Sequence, residues 1–126
     1  MNTPEHLLYT KSHEWVLFAE DGSAKVGLTD HAQDALGDIV FVNLPEAGDS
    51  LAKGEALGDV ESVKAVSDIY SPVTGTVKAV NESLLDAPES INADPYGAWL
   101  VEVEDISDKE ELLDAAAYAA HCASEG

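Results

Sequence analysis

The sequence predicts a mainly β protein: a sandwich or barrel of short antiparallel strands, with short helices and a helical C-terminal end. Turn signals recur at intervals of about 8–12 residues, the rhythm of such folds. The stretches between them are short and rich in β-branched and aromatic residues, as in "EWVLFA" and "DIVFVNL". Helix-forming composition is confined to "TDHAQDALG" and the alanine-rich "DAAAYAAHCA". A chain of 126 residues is enough for one domain and too short for two comfortable ones, so residues 1–126 are read as a single domain.

Taken in order, "EWVLFA" is a strand, "EDGS" a turn and "AKVGL" its hairpin partner. "TDHAQDALG" follows as a short helix, capped by Thr29 or Asp30 and stopped by Gly37. "DIVFVNL" is a strand closed by the turn "PEAGDS". "KGE" is a turn, "ALGDVES" a strand, "VKA" a hairpin tip and "VSDIY" the returning strand. "SPVTG" reads as a turn with Pro72 in the corner, because proline cannot donate to a ladder, and "TVKAVN" as a strand. From Asn81 to Tyr96 the pattern lapses into a long irregular connection with one helical turn near Leu84 and Leu85, of the kind that tends to be functional or mobile. "AWLVEVED" restores a strand, with Leu100, Glu102 and Glu104 alternating against Trp99, Val101 and Val103. Residues 107–126 are expected to be helical, opened by a capping box of Ser107 and Glu110, anchored by Tyr118 and fraying in the last turn.

Composition bounds the partners. The chain has 25 acidic residues, six lysines and no arginine, for a formal charge of −19. Such a surface repels nucleic acid and anionic lipid, whose affinity comes from Lys and Arg. Cys122 is the one cysteine, which rules out an internal disulfide. "MNTPEHLLYT" has the basic and apolar regions of neither a secretory signal nor a transit peptide, and no apolar run approaches the ~20 residues of a membrane helix. The expectation is a mature cytoplasmic chain.

Few residues stand out chemically. His6, His13, His31 and His121 are far apart in sequence and form no HxxxH pair, and adjacent His121 and Cys122 point in different directions on a helix, so no metal site is expected. Acid pairs such as Asp59 and Glu61 share a strand face, as chance allows in so acidic a chain. Lys64 differs: at the tip of a tight hairpin it projects away from both ladders, presentable to another protein's active site. Its amine suits acylation, which would remove its charge; the bland alternative is a solubilising hairpin lysine.

"ESVKAVSDIYSPVTGTVKAVN" resembles the lipoyl-lysine hairpin of the glycine cleavage system H protein family. "YTKSHEWV", "VGLTDHAQDALGDIVFVNLPEAGD" and "INADPYGAWL" resemble further segments of that family in the same order, covering the chain from about Leu7 to Tyr118. The resemblance implies a barrel-sandwich hybrid of the lipoyl/biotinyl-carrier type, with lipoate attached to Lys64 as an amide and Glu61, Ser62, Val63 and Ala65 flanking it for recognition. It implies a non-catalytic, monomeric carrier in glycine catabolism and one-carbon metabolism. The implied partners are a PLP-dependent glycine decarboxylase that loads an aminomethyl group, a tetrahydrofolate-dependent aminomethyltransferase that takes the one-carbon unit, dihydrolipoamide dehydrogenase that reoxidises the dithiol, and lipoyl-attaching enzymes. By motif, Ser12, Glu14 and Asp68 line a cleft that shelters the loaded arm, a carboxylate there pairing with the cargo's amine. "DPYGAWL" is one residue shorter than the family pattern near Gly97 and Ala98, which implies a changed loop beside that cleft. Four alternatives are a biotin carrier, a lipoyl domain of a 2-oxoacid dehydrogenase, an H-like protein in lipoate relay or redox work, and an enzyme using Glu14 and Asp68. The first is disfavoured by Val63 and Ala65 in place of flanking methionines.

Overall fold

The computed structural model describes residues 3–125. Its strands are β1 (Leu8–Tyr9), β2 (Glu14–Phe18), β3 (Ala24–Leu28), β4 (Ile39–Asn43), β5 (Ser50–Leu51), β6 (Ala56–Ser62), β7 (Val66–Tyr70), β8 (Val73–Val80) and β9 (Val101–Lys109). Its helices are α1 (Asp30–Leu36), α2 (Ser83–Asp86), α3 (Ser90–Ala93) and α4 (Ala115–Glu125). A six-stranded sheet runs β1-β2-β3-β9-β8-β5 and a three-stranded sheet runs β4-β6-β7, with antiparallel pairing throughout.

Apolar side chains from both sheets, among them Val26, Val42, Val60, Ile69, Val77 and Val103, fill the main core. Leu84 of α2 and Ile91 of α3 close it on one side, which is why the irregular 81–96 connection contains two helical turns where one was expected. A second cluster of Leu7, Tyr9, Trp15 and Tyr118 seats α4 against β1, the Tyr9 and Tyr118 rings stacking with centroids 4.6 Å apart. Gly27 makes room for this packing. It pairs with Trp15 across the β2–β3 ladder, and a Cβ there would lie 2.5 Å from the indole.

Local expectations hold where short-range chemistry decides them. Thr29 caps α1, its hydroxyl accepting from the Ala32 N–H at 3.1 Å, and Gly37 ends the helix at φ 79°. The β2–β3 and β6–β7 hairpins form as expected, and Pro72 lies in the corner between β7 and β8.

Three expectations fail. β9 starts at Val101, so Ala98, Trp99 and Leu100 of "AWLVEVED" precede the strand. β8 starts at Val73, so only residues 71–72 of "SPVTG" turn. Residues 107–109 are strand, not helix: β9 pairs with β8 as far as Lys109 opposite Val73 and Asp108 opposite Thr74. A capping box needs a free helix start, and the ladder takes the backbone of Asp108 and Lys109, where that helix would begin, first. The helix begins at Ala115, where the Asp114 carboxylate accepts from the Ala117 N–H at 2.8 Å. Its last turn carries contacts from Glu125 to His13 and His121 (below).

Candidate functional site

Lys64 occupies the three-residue loop 63–65 between β6 and β7 and is exposed. Ser62 builds this tip. Its hydroxyl oxygen accepts from the N–H groups of Lys64 at 3.2 Å and Ala65 at 3.1 Å, while the Ser62 N–H donates to the Ala65 carbonyl at 2.8 Å. A serine oxygen that takes two backbone donors fixes the turn without a glycine. The Val63 N–H donates to the Asp38 carbonyl at 3.0 Å, bracing the tip against the corner between α1 and β4.

That corner is itself braced by Asn92 of α3, which sequence reasoning missed inside the irregular connection. Its side-chain oxygen accepts from the Ile39 N–H at 2.9 Å, and its amide donates to Gln33 at 3.0 Å and to the Gly37 carbonyl at 2.9 Å. The Lys64 stem lies beside Gly37, where an added Cβ would sit 3.3 Å from Lys64 Cε.

Among the described residues, four of the six lysines have side-chain partners, and Lys11 and Lys64 do not. Lys53 and Lys78 pair with Asp108 and Asp21, and Lys25 and Lys109 sit over the rings of Trp99 and Phe18. Lys64 has no ion pair or ring contact of this kind among the described residues. Around it, Val63, Val66, Val40 and Phe41 are exposed, and Phe41, Glu61 and Val66 stand in one cross-strand row. An exposed apolar patch around a presented amine is suited to docking.

Ser12, Glu14 and Asp68, far apart in sequence, line one cleft of about 150 Å³ with apolar walls from Leu28, Leu36, Val60 and Ile69. Glu14 is 1% exposed and also borders a second cleft of about 560 Å³ lined by Thr10, Tyr70 and Glu110. One Glu14 oxygen accepts from the Ser12 hydroxyl at 2.6 Å and the Thr10 hydroxyl at 2.7 Å. Burial pushes its carboxyl up to about 7, outweighing the Ser12 and Thr10 hydroxyls and the Tyr70 backbone N–H, which favour the charged form. Asp68 is exposed, opposite Asp59 on β6. Residues 94–98, which include the shortened Gly97–Ala98 turn, do not line either of these clefts. The turn closes on Asp94, whose carbonyl accepts from the N–H groups of Gly97 at 3.1 Å and Ala98 at 2.9 Å.

The sequence and the fold have counterparts among known proteins. A family model described as "Glycine cleavage H-protein" matches residues 7–125. The chain belongs to the glycine cleavage H-protein family. It is 59% identical to a glycine cleavage system H protein of Lachnoclostridium phytofermentans, over 90% of this chain and 89% of that one. It is 56% identical to one from Aromatoleum aromaticum, over 98% of each. The crystal structure of the Mycobacterium marinum H protein superposes with a TM-score of 0.89 at 44% identity, covering 93% of this chain and 96% of that one. The fold is therefore the barrel-sandwich hybrid expected of that family. As an H-protein it is a carrier component of the glycine cleavage system, not one of its catalysts; its covalent cofactor is lipoate, and its partners are the other components of that system. No helix among the described residues is long and apolar enough to cross a membrane.

The fold gathers histidines that lie far apart in sequence. His13, His31 and His121, read as scattered, converge: His13 and His31 rings stack at 4.4 Å, and His13 and His121 lie 5.8 Å apart. His13 sits at φ 74° in the turn before β2, its Nδ1 2.8 Å from the Tyr118 hydroxyl and its Nε2 2.9 Å from Glu125. Burial holds His13 below its ordinary pKa, with Glu125 opposing and His31 and His121 reinforcing. No spacing in the sequence announces this cluster.

Proposed function

We propose that Lys64 is the lipoyl attachment point and that Ser12, Glu14 and Asp68 receive the loaded end of the arm. The observation that carries the reading is the braced tip: an exposed lysine amine, without an acidic partner among the described residues, on a loop held by Ser62 and Asp38. Deprotonated Lys64 Nζ would attack an activated lipoyl carboxyl, forming the amide as the activating group leaves. Glu61, Ser62, Val63 and Ala65 present it to the lipoyl-attaching enzyme, and the net charge falls from −19 by one.

Lipoate supplies the dithiolane sulfur that takes the aminomethyl cargo; the chain's residues do the rest. The apolar cleft walls accommodate an acyl arm and exclude water. Glu14, with a pKa of about 7, is poised between its protonated and charged forms near neutral pH, and an approaching cationic amine shifts it toward the carboxylate, because an opposite charge favours the charged form. Ser12 steadies the charged form through its 2.6 Å hydrogen bond, and Asp68 adds negative charge at the rim. The partners follow as glycine decarboxylase with PLP, the tetrahydrofolate-dependent aminomethyltransferase and dihydrolipoamide dehydrogenase, met by a cytoplasmic monomer through the apolar patch around Lys64. Tethering gives the arm a high effective concentration at each docked partner.

Intact mass after expression with lipoate tests the attachment. One lipoyl group is expected, and none in Lys64→Arg; modification of another lysine would overturn the assignment. Exchange of labelled bicarbonate into glycine, with an active decarboxylase and the lipoylated protein, tests the carriage. Background exchange would favour a role in lipoate relay. Light scattering and cell fractionation test the monomer and the compartment.

A further inference from the structure

We propose that His13, His121 and Glu125 form a binding site for a divalent transition-metal ion of the zinc class, which fastens α4 to the turn that leads into β2. The ligating atoms of these three residues all lie within 4.8 Å of one another. His13 Nε2 is 2.9 Å and 3.1 Å from the two Glu125 oxygens, and His121 Nε2 is 3.4 Å from one of them. In a tetrahedral zinc sphere with bonds of about 2.0–2.1 Å, neighbouring donors stand about 3.3 Å apart, so these separations are already close to the edges of such a sphere.

The elements that carry the three donors are fixed for reasons of their own. His121 and Glu125 are four residues apart on α4 and share a face one turn apart. Tyr9 stacking and the Tyr118 hydroxyl, which meets Thr29 Oγ1 at 2.7 Å, hold that helix in place. The same Tyr118 hydroxyl lies 2.8 Å from His13 Nδ1, so the ring is oriented through one nitrogen while the other faces Glu125. Metal-binding histidines are held in this way through their second nitrogen. The Lys11 carbonyl oxygen is 3.1 Å from His121 Nε2. It releases that nitrogen to an incoming ion or joins it as an oxygen donor.

Donor chemistry selects the ion. Two imidazoles and a carboxylate suit Zn²⁺ and its neighbours, whereas Mg²⁺ and Ca²⁺ take oxygen ligands. A chain of net charge −19 draws cations to its surface. A second grouping, His13 with His31 and Cys122, shares one histidine with the first. Its ligating atoms also lie within 4.8 Å of one another, but its two rings stack face to face at 4.4 Å, which keeps the ring planes, and the in-plane lone pairs with them, apart. The outer set is favoured because its Glu125 carboxylate already lies within 3.4 Å of both imidazoles.

The test uses the full chain stripped with EDTA, titrated with ZnCl₂ by calorimetry and followed by thermal unfolding. One Zn²⁺ per chain with a micromolar Kd, and a Tm that climbs with Zn²⁺ but not with equimolar Mg²⁺ or Ca²⁺, is expected. His121→Ala and Glu125→Gln should each weaken binding tenfold or more, and Cys122→Ser should leave it unchanged. Co²⁺ in place of Zn²⁺ should give tetrahedral d–d absorption without a thiolate charge-transfer band. No saturable binding, or binding untouched by His121→Ala, would overturn the site. So would loss on Cys122→Ser together with a thiolate band, which would move the ion to the inner grouping.

Discussion

Glu14→Gln isolates the electrostatics of the cleft. In the folded protein burial raises the Glu14 carboxyl from 4.5 to about 7. The sign follows from linkage. Below pH 4.5 the group is protonated in both states and costs nothing. Between 4.5 and 7 the unfolded chain ionises while the folded chain keeps its proton, so stability falls as pH rises. Above 7 the loss is complete, at about 3 kcal/mol for an elevation of this size. Glutamine keeps the shape and never ionises, so all other titrations cancel in the difference between the two proteins. Urea unfolding of both at pH 5 and pH 8 should show the variant gaining about 2.5 kcal/mol on the parent between those values. A difference that does not change with pH would mean that Glu14 ionises at an ordinary value, and the proton-release account of the cleft would fail. Lowering of the Glu14 pKa by a bound small amine, followed by carboxyl NMR, is the matching functional readout.

Three further outcomes are expected. Gly27→Ala places a methyl 2.5 Å from the Trp15 indole and should destabilise by about 1–3 kcal/mol; an unchanged denaturation midpoint would contradict the packing. Tyr118→Phe removes the hydroxyl shared by His13 and Thr29 and should lower stability by about 1–3 kcal/mol, leaving both partners short of a bond, and hydrogen exchange should rise in α4 first. Ser62→Ala loosens the tip with little change in overall stability, so lipoylation in vitro should slow while the midpoint stays put; a normal rate would show that the Ser62 brace is not what presents Lys64.

The legible parts of this protein are those in which neighbours in sequence decide the conformation. The Thr29 cap, the Gly37 stop, the β2–β3 and β6–β7 hairpins and the exposed Lys64 loop all rest on residues within a few positions of one another. The misread stretch at Ser107 fails for the complementary reason. Its capping signal is real, but Val73 and Thr74, more than 30 residues earlier, offer a ladder that takes the backbone first. Asn92 shows the same thing inside the connection, which became structural once Ile39, Gln33 and Gly37 gathered around it.

The sequence by itself determined the class of fold, the hairpin that holds out Lys64, and membership of a family through four segments in order. Its motif also named Ser12, Glu14 and Asp68, though not the state in which Glu14 waits. That state depends on how far the carboxyl is taken from water, which only the packing of β2 against β7 sets. The histidine cluster was decided by tertiary structure alone, because His31 of α1 stacks on His13 across the fold and His121 joins them only when α4 closes over the turn before β2. Turns and caps are read from short-range chemistry, whereas burial and convergence are properties of the folded chain.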